Sequence, residues 1–295
     1  MSPAADGART GNRTLVERIR GGEFIVAPGV YDLISARIAD TLGFPALYMT
    51  GYGVVASYLG LPDAGIATYN DMVGRARQIA TRTATPLIAD ADTGYGGLLN
   101  VQYTVRGYEE AGVAAIQIED QEFPKKCGHT PGRRVVPLED MVDKIRVARE
   151  SRTSSDFLII ARTDARGQHG IDEALRRGEA FAKAGADILF IESPENEDEM
   201  ARIGRTFDKP LVANMVEGGK TPVKTPAELK ALGYQIAIFP AAGFLAAGAT
   251  LRRVYTALRD EGSAAASGAE LYDFVAFSKL MGFQDVWDFE KRYAR

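Results

Sequence analysis

The chain has 295 residues, 46% hydrophobic and 25% charged, with a net charge of −4 at pH 7. This is an ordinary globular composition with ample material for one large core, and its mild negative balance argues against a nucleic acid or an anionic membrane as partner. No apolar run approaches the ~18 residues of a membrane-spanning helix, and a lone cysteine rules out an intrachain disulfide, which suits a reducing cytoplasm.

Residues 1–12 are polar and Gly/Ala-rich and lack the apolar stretch of a secretion signal, so they read as a disordered lead. Eight short apolar runs follow: Phe24–Ala27, Ala46–Met49, Pro86–Ala89, Ala114–Ile118, Phe157–Ala161, Ile188–Ile191, Leu211–Ala213 and Ile236–Phe239. Each is continuous rather than alternating, the pattern of strands buried on both faces. Helical stripes lie between them. Val101, Val105 and Tyr108 form one; Leu138, Met141, Ile145 and Ala148 form another, opened by Pro137; Ile171, Leu175 and Gly178 form a third. Thr225-Pro-Ala-Glu228 is a capping box. Phe244, Ala247, Leu251, Val254 and Leu258 make the longest stripe. Eightfold strand–helix alternation predicts an α/β fold, a (β/α)8 TIM-type barrel over residues 13–260. An open doubly wound sheet would want a Gly-rich first turn, and Phe24–Asp32 offers none.

The small-residue stretch Asp260–Gly268 marks a boundary. Beyond it, residues 261–295 form a helical extension. Leu271, Phe274, Val275, Leu280, Met281, Phe283, Val286, Trp287 and Phe289 are more apolar surface than a solvated tail tolerates. The extension packs on its own barrel or on a neighbouring subunit.

Barrel chemistry collects at the C-terminal ends of the strands. Those positions hold Tyr48, Thr50, Gly51 and Tyr52; Asp90 and Asp92; Glu119 and Asp120; Arg162, Thr163 and Asp164; Glu192 and Ser193; Asn214 and Glu217. Asp90 and Asp92 are two residues apart and share a strand face. With Glu119 next door and Asp63 in the loop after the second strand, they are hard oxygen donors suited to Mg²⁺ or Mn²⁺. One Cys and two His cannot supply a usual zinc set. Arg162 offers a planar fork for a carboxylate, with an ion pair to Asp90 or Glu119 as the plainer alternative. Thr50-Gly-Tyr-Gly53 presents backbone N–H groups and a hydroxyl to an anion. Glu217–Pro222 contains a GKT string without the first glycine of a phosphate-binding loop, so no nucleotide site is expected.

One loop stands apart. Gln121–Arg134 (QEFPKKCGHTPGRR) holds the only cysteine, Cys127, with His129, Lys125, Lys126, Arg133 and Arg134 around it. Lone cysteines are commonly inert small hydrophobes. Neighbouring cations instead lower a thiol's pKa and ready it for proton exchange.

KKCGH at Lys125–His129, DAD at Asp90–Asp92, IEDQ at Ile118–Gln121, ARTDA at Ala161–Ala165 and NMVEGGKTP at Asn214–Pro222 resemble the isocitrate lyase/phosphoenolpyruvate mutase superfamily. The resemblance runs from about Gly22 to the C-terminus, and KKCGH is the string of its carbon–carbon lyases. It implies a (β/α)8 barrel whose last helix swaps with a neighbour, in a homotetramer built as a dimer of helix-swapped dimers. It implies Mg²⁺ held at Asp90 and Asp92, with Asp63 and Glu119 acting mainly through water. The short form, Thr50-Gly-Tyr-Gly53 and NMVEGGKTP resemble the 2,3-dimethylmalate and petal-death-type alkylmalate lyases more than the methylisocitrate lyases. Oxaloacetate hydrolases of the family tend to carry a serine where Pro240-Ala-Ala-Gly243 stands here.

The expected activity is therefore cleavage of a 2-hydroxy dicarboxylate to an α-keto acid plus a carboxylic acid. Tyr48 or Glu192 would take the hydroxyl proton, Arg162 would hold a carboxylate, and Cys127 would protonate the carbanion carbon. His129, Asn214 and Glu217 would orient the other end, within a lining of Thr50, Gly51, Tyr52, Lys126 and Gly128. A phosphonopyruvate-type enzyme, an oxaloacetate hydrolase and a catalytically silent metabolite-binding barrel are the alternatives.

Overall fold

A computed structural model describes residues 14–128 and 132–294. The lead read over residues 1–12, and His129, lie outside the described residues. A helix over residues 14–20 (α1) leads into β1 (Ile25–Val30), α2 (Leu33–Asp40), β2 (Leu47–Met49), α3 (Gly51–Leu59) and α4 (Tyr69–Ala80). Then come β3 (Leu87–Asp90), α5 (Leu98–Glu110), β4 (Ala115–Glu119), α6 (Leu138–Ser151), β5 (Leu158–Thr163) and α7 (Arg166–Ala184). β6 (Ile188–Ile191), α8 (Glu197–Thr206), β7 (Leu211–Asn214), α9 (Pro226–Ala231), β8 (Ile236–Phe239) and α10 (Ala242–Glu261) complete the alternation. A 3₁₀ turn (Ala265–Ser267), α11 (Phe274–Leu280) and α12 (Phe283–Tyr293) follow.

The eight strands close in sequence order into a parallel barrel, β8 pairing back onto β1 with Ile25 opposite Ile236. The expected (β/α)8 fold is the observed one. The strands extend a residue or two beyond several of the predicted runs, because polar residues at the mouth continue the ladder. Glu119 pairs with Arg162, and Thr163 with Ile191. The capping box of α9 forms as read, with Thr225 N–H donating to Glu228 Oε2 at 2.7 Å.

Two apolar layers hold the barrel together. Ile25, Ala27, Tyr48, Ile88, Ala115, Ile160, Phe190, Val212, Ile236 and Ile238 fill the interior, joined by Leu15, Val16 and Ile19 of α1. Met49, Ala89, Ile116, Ile118, Ile159, Ala161, Leu189 and Ala213 face outward and bury the helices' apolar stripes, Val101, Val105 and Tyr108 of α5 among them. Full burial of one such aliphatic side chain contributes about 1.5–3 kcal/mol. This alternation positions the site. Continuing these inward-facing sets by two residues reaches Asp90, Arg162, Glu192 and Asn214 at the C-terminal mouth, and by four, through Gln117, Glu119.

The chain divides into two compact units, one ending at Ala242 and the other comprising Gly243–Arg295. The break falls at the first residue of α10, ahead of the composition shift at residues 260–268. Among the described residues, no helix is long and apolar enough to cross a membrane.

Candidate active site

Asp90 closes β3 and Asp92 follows it, both buried. Asp92 adopts φ 48°, a left-handed conformation that a non-glycine residue holds only under constraint, and its N–H donates to Asp90 Oδ1 at 3.0 Å. The constraint comes from α5 and α6. Tyr108 Oη donates to Asp90 O at 3.2 Å, Thr104 Oγ1 to Gly94 O at 3.2 Å, and Lys144 Nζ to Thr93 O at 2.9 Å. The start of α3 abuts this carboxylate: a Cβ on Gly51 would lie 2.5 Å from Asp90 Oδ2. Thr50 is buried and caps α3 by accepting from Gly53 N–H, while Tyr52 is exposed.

Lys125 enters the acidic ground. Its buried ammonium lies 2.6 Å from Asp63 Oδ1 and 2.7 Å from Asp92 Oδ1. The ammonium is thus the charged partner of both oxygens, while Glu119 Oε1 is buried without a hydrogen-bond partner. Burial, reinforced by Asp90 and Asp63 and opposed by Lys125, pushes the Asp92 carboxyl up to about 7. Burial likewise pushes Glu119 well above the carboxylate range against the pull of Arg162. Burial alone would lower Lys125, but Asp92, Asp90, Glu119 and Asp63 together hold its pKa well above that of a free lysine.

Among the described residues, no three acidic, His or Cys side chains already converge as a closed metal-ligand set. The residues nevertheless fit a divalent cation that keeps several waters and takes one or two carboxylates. The donors are hard oxygens, Glu119 Oε1 among them has no partner, and the buried carboxylates outnumber the cations beside them.

The opposite side of the mouth is built on β5, β6 and β7. Asp164 takes the Nε–Nη2 edge of Arg162 in two bonds of 2.9 Å. Arg133 pairs with the same carboxylate, and these two cations hold Asp164 below the usual carboxylate range against its burial. The guanidinium stacks over the Phe190 ring at 5.1 Å, with Nη1 3.5 Å from Glu119 Oε2 and Nη2 3.3 Å from Glu192 Oε2. The ion pair with Glu119 is therefore present, at the Nη1–Nη2 end of Arg162 that faces the mouth. Glu192 is wholly buried and accepts from Asn214 Nδ2 and Ser193 Oγ, each at 3.0 Å. Between the two sides, Tyr48 Oη lies 3.1 Å from Gln117 Oε1 and donates to it. Burial, then Asp90, pushes the Tyr48 phenol far above its ordinary value, with Arg162 opposing.

The thiol loop spans both sides. Its base is pinned where Gln121 bridges to Val135 and Glu122 N–H donates to Arg134 O at 2.8 Å. Gln121 also braces the loop internally, donating to Lys126 O at 2.8 Å and accepting from Lys126 N–H at 3.0 Å. Cys127 N–H donates to Asp63 O at 3.1 Å. Gly128 lies so close to the mouth that a Cβ there would be 2.4 Å from Arg162 Nη2 and 3.1 Å from Glu192 Oε2. Thus the structure brings together Asp63, Asp90, Asp92, Glu119, Tyr48, Thr50, Gly51, Arg162, Glu192, Asn214, Cys127 and Gly128.

Three expected residues fall elsewhere, the exposed Tyr52 being the first. Lys126 is exposed, its Nζ 3.4 Å from Gly132 O; the lysine in the site is its neighbour Lys125. Glu217 is exposed in the loop after β7, and among the described residues no hydrogen bond or ion pair joins it to the mouth. Besides Lys125, sequence reading passed over Gln117 and the bracing roles of Asp164 and Ser193. Gln117 was legible, since it continues the inward face from Ala115 to Glu119.

A closed parallel barrel, an acid-lined mouth and a thiol loop seated on it define a (β/α)8 enzyme. The model of the phosphoenolpyruvate phosphomutase family matches residues 16–259. A 2,3-dimethylmalate lyase of Eubacterium barkeri is 51% identical over 272 residues, spanning 92% of this chain and 94% of the relative. A solved oxaloacetate acetylhydrolase in complex with the inhibitor 3,3-difluorooxalacetate superposes with a TM-score of 0.91 at 40% identity, covering 97% of each chain. A phosphonopyruvate hydrolase solved with oxalate and Mg²⁺ superposes with a TM-score of 0.86 at 32% identity, covering 97% of this chain and 99% of the other. The chain belongs to the phosphoenolpyruvate phosphomutase family, within the isocitrate lyase/phosphoenolpyruvate mutase superfamily, whose members include divalent-metal enzymes.

Proposed function

We propose that the chain is a divalent-metal-dependent carbon–carbon lyase that splits a 2-hydroxy dicarboxylate of the 2-alkylmalate type, 2,3-dimethylmalate foremost, into an α-keto acid and a carboxylic acid. The carrying observation is the seating of the Cys127 loop across the mouth, between the acids of β3 and β4 and the Arg162–Glu192 pair. Mg²⁺, or Mn²⁺ in its stead, would be held by Asp90 and Asp92 with Glu119 beyond, and would supply Lewis acidity to the substrate's hydroxyl and carboxylate oxygens.

The chain's own groups divide the remaining work. Arg162 binds a substrate carboxylate through its Nη1–Nη2 end, steadied by Asp164. Glu192, fixed by Asn214 and Ser193, accepts the hydroxyl proton. Tyr48 stays protonated and donates, which makes it a poor base and leaves that task to Glu192. As the bond between C2 and C3 breaks, its electron pair passes to the departing carbon as a carboxylate-stabilised enolate. The Cys127 thiol returns a proton there. The seated loop excludes water, which would quench the enolate without control.

A panel of 2,3-dimethylmalate, 2-methylisocitrate, citramalate and oxaloacetate, followed by keto-acid formation with and without Mg²⁺, tests this reading. Metal-dependent pyruvate release from an alkylmalate supports it; none from any member overturns it. The oxaloacetate acetylhydrolase likeness favours one second reading, hydrolysis of oxaloacetate. Oxalate release from oxaloacetate in the same panel, with no alkylmalate cleavage, selects it.

We also propose that the unit Gly243–Arg295 docks on a second copy of the chain through exchanged helices, in a tetramer of two such dimers. Its exposed Phe274, Phe283, Val286 and Phe289 support this.

A further inference from the structure

We infer that Lys125 and Asp63 form the latch that seats the thiol loop on the barrel mouth: Lys125 is a positioning residue for the Cys127 proton donor, and Asp63 serves the loop rather than a metal. Both ends of Asp63 are committed to the loop. Its Oδ1 meets the Lys125 ammonium at 2.6 Å, and its main-chain oxygen accepts from Cys127 N–H at 3.1 Å. The segment bearing Asp63, between α3 and α4, also packs on the loop directly: a Cβ at Gly65 would lie 3.2 Å from Lys125 N and from Pro124 Cβ.

Lys125 carries the tie across to the barrel, since its ammonium also lies 2.7 Å from Asp92 Oδ1. One buried point charge thereby joins three segments distant in sequence: the α3–α4 loop, the end of β3 and the thiol loop. A lysine suits this better than an arginine, because a compact ammonium can face two carboxylates from different directions. Among the described residues, Gln121 to Val135 and Glu122 to Arg134 hold the base of the loop, and Arg133 to Asp164 holds its returning arm. Toward its far end there remain Gly128 against Arg162 and Gly128 O, 3.3 Å from Ser193 Oγ. That hydroxyl lies nearer Glu192 Oε1, at 3.0 Å, and has one proton to give. Lys125 thus ties the arm bearing Cys127 both to the α3–α4 loop and to the end of β3.

The consequence for turnover rests on the lyase reading, but the latch is measurable without substrate. Cys127 is the only cysteine, so the reaction of the full-length protein with a chromogenic disulfide reports on that thiol alone. Lys125→Gln and Asp63→Asn are each expected to speed that reaction about tenfold or more, as loss of a buried ion pair frees a local opening. The double variant should be no faster than the faster single one. Removing the lysine's charge by itself would raise the thiol's pKa and slow the reaction, so acceleration reports exposure. Lys125→Arg should recover part of the protection. Mn²⁺ affinity of Asp63→Asn, read by electron paramagnetic resonance, should stay within about threefold of the parent, well inside the loss a ligand partner causes. With an active alkylmalate, kcat should fall and KM hold.

Unchanged thiol reactivity in both single variants overturns the latch. So does an Asp63→Asn protein whose Mn²⁺ affinity drops while its thiol stays protected, which would return Asp63 to the metal. If Lys125→Gln does not fold, Asp63→Asn decides alone. Failure of the lyase reading would appear in the parent as no cleavage and leaves the thiol and Mn²⁺ measurements standing.

Discussion

Cys127, Glu192 and Tyr48 divide proton handling by environment. Cys127→Ser keeps the loop's main-chain bond to Asp63 but replaces the acid with a far weaker one. Turnover should fall by about two orders of magnitude or more, the range of a lost general acid, with Mg²⁺ binding unaltered by calorimetry. Near-normal turnover would remove the thiol from the chemistry. Glu192→Gln and Tyr48→Phe separate the two candidate bases. Tyr48 is held protonated by its burial and by Asp90, so its loss should cost no more than about tenfold, whereas loss of Glu192 should cost about a hundredfold or more. The reverse ranking in steady-state rates would hand the base to Tyr48. At this scale the sequence is legible where a period applies. Arg162, Glu192 and Asn214 follow from inward parity along strands, but the thiol loop has no period, and nothing in Lys125-Lys126 says which lysine turns in.

Among the elements, the segment from Asp90 to Gly97 is the most constrained. Asp92 and Tyr95 both hold positive φ, 48° and 57°, which costs about 1–3 kcal/mol each and persists only where neighbours impose it. Tyr108 is the central brace. Its hydroxyl donates to Asp90 O at 3.2 Å and, having spent its proton, accepts from Tyr95 Oη at 2.9 Å. Tyr108→Phe should therefore weaken Mn²⁺ binding by about tenfold or more, as removal of a partner behind a metal ligand does; unchanged affinity in a titration would show the brace to be idle. The stripe containing Tyr108 was readable as helix from its spacing, yet its hydroxyl's role was not, since a buried tyrosine at helical spacing reads as plain core. On α7, hydrogen bonds from Arg176, opposed by burial and joined by Arg177, hold Glu173 down at about 2. A depressed carboxyl stabilises the fold above its unfolded value near 4.5, and that contribution fades as pH falls toward about 2. Arg176 is largely exposed, so the effect is small. Glu173→Gln should lower the melting temperature at pH 7 by about 1–2 °C, and scans at descending pH should show the gap closing below pH 4.5; a gap that persists at pH 2 would place its origin elsewhere.

For the whole molecule, the barrel was legible because strands buried on both faces write themselves as continuous apolar runs. The extension was legible only as an excess of apolar residues. α12 shows why. Phe283 pairs with Trp287 at 6.0 Å and Phe289 with Tyr293 at 4.7 Å. At about 100° per residue these pairs fall on different sides of the helix. A helix apolar on two sides needs two neighbours, and within its own unit α11 packs against it. Phe274 is 82% exposed and Phe289 62%. A second copy of the chain is the partner that would cover them, so light scattering should return about four times the 31.9 kDa chain mass. Phe274→Ser combined with Phe289→Ser should lower that mass stepwise and raise binding of an apolar dye, while the barrel's far-ultraviolet dichroism stays unchanged. A parent protein that elutes as a monomer, with these aromatics bare, would sink the exchanged-helix assembly and leave the barrel's chemistry untouched.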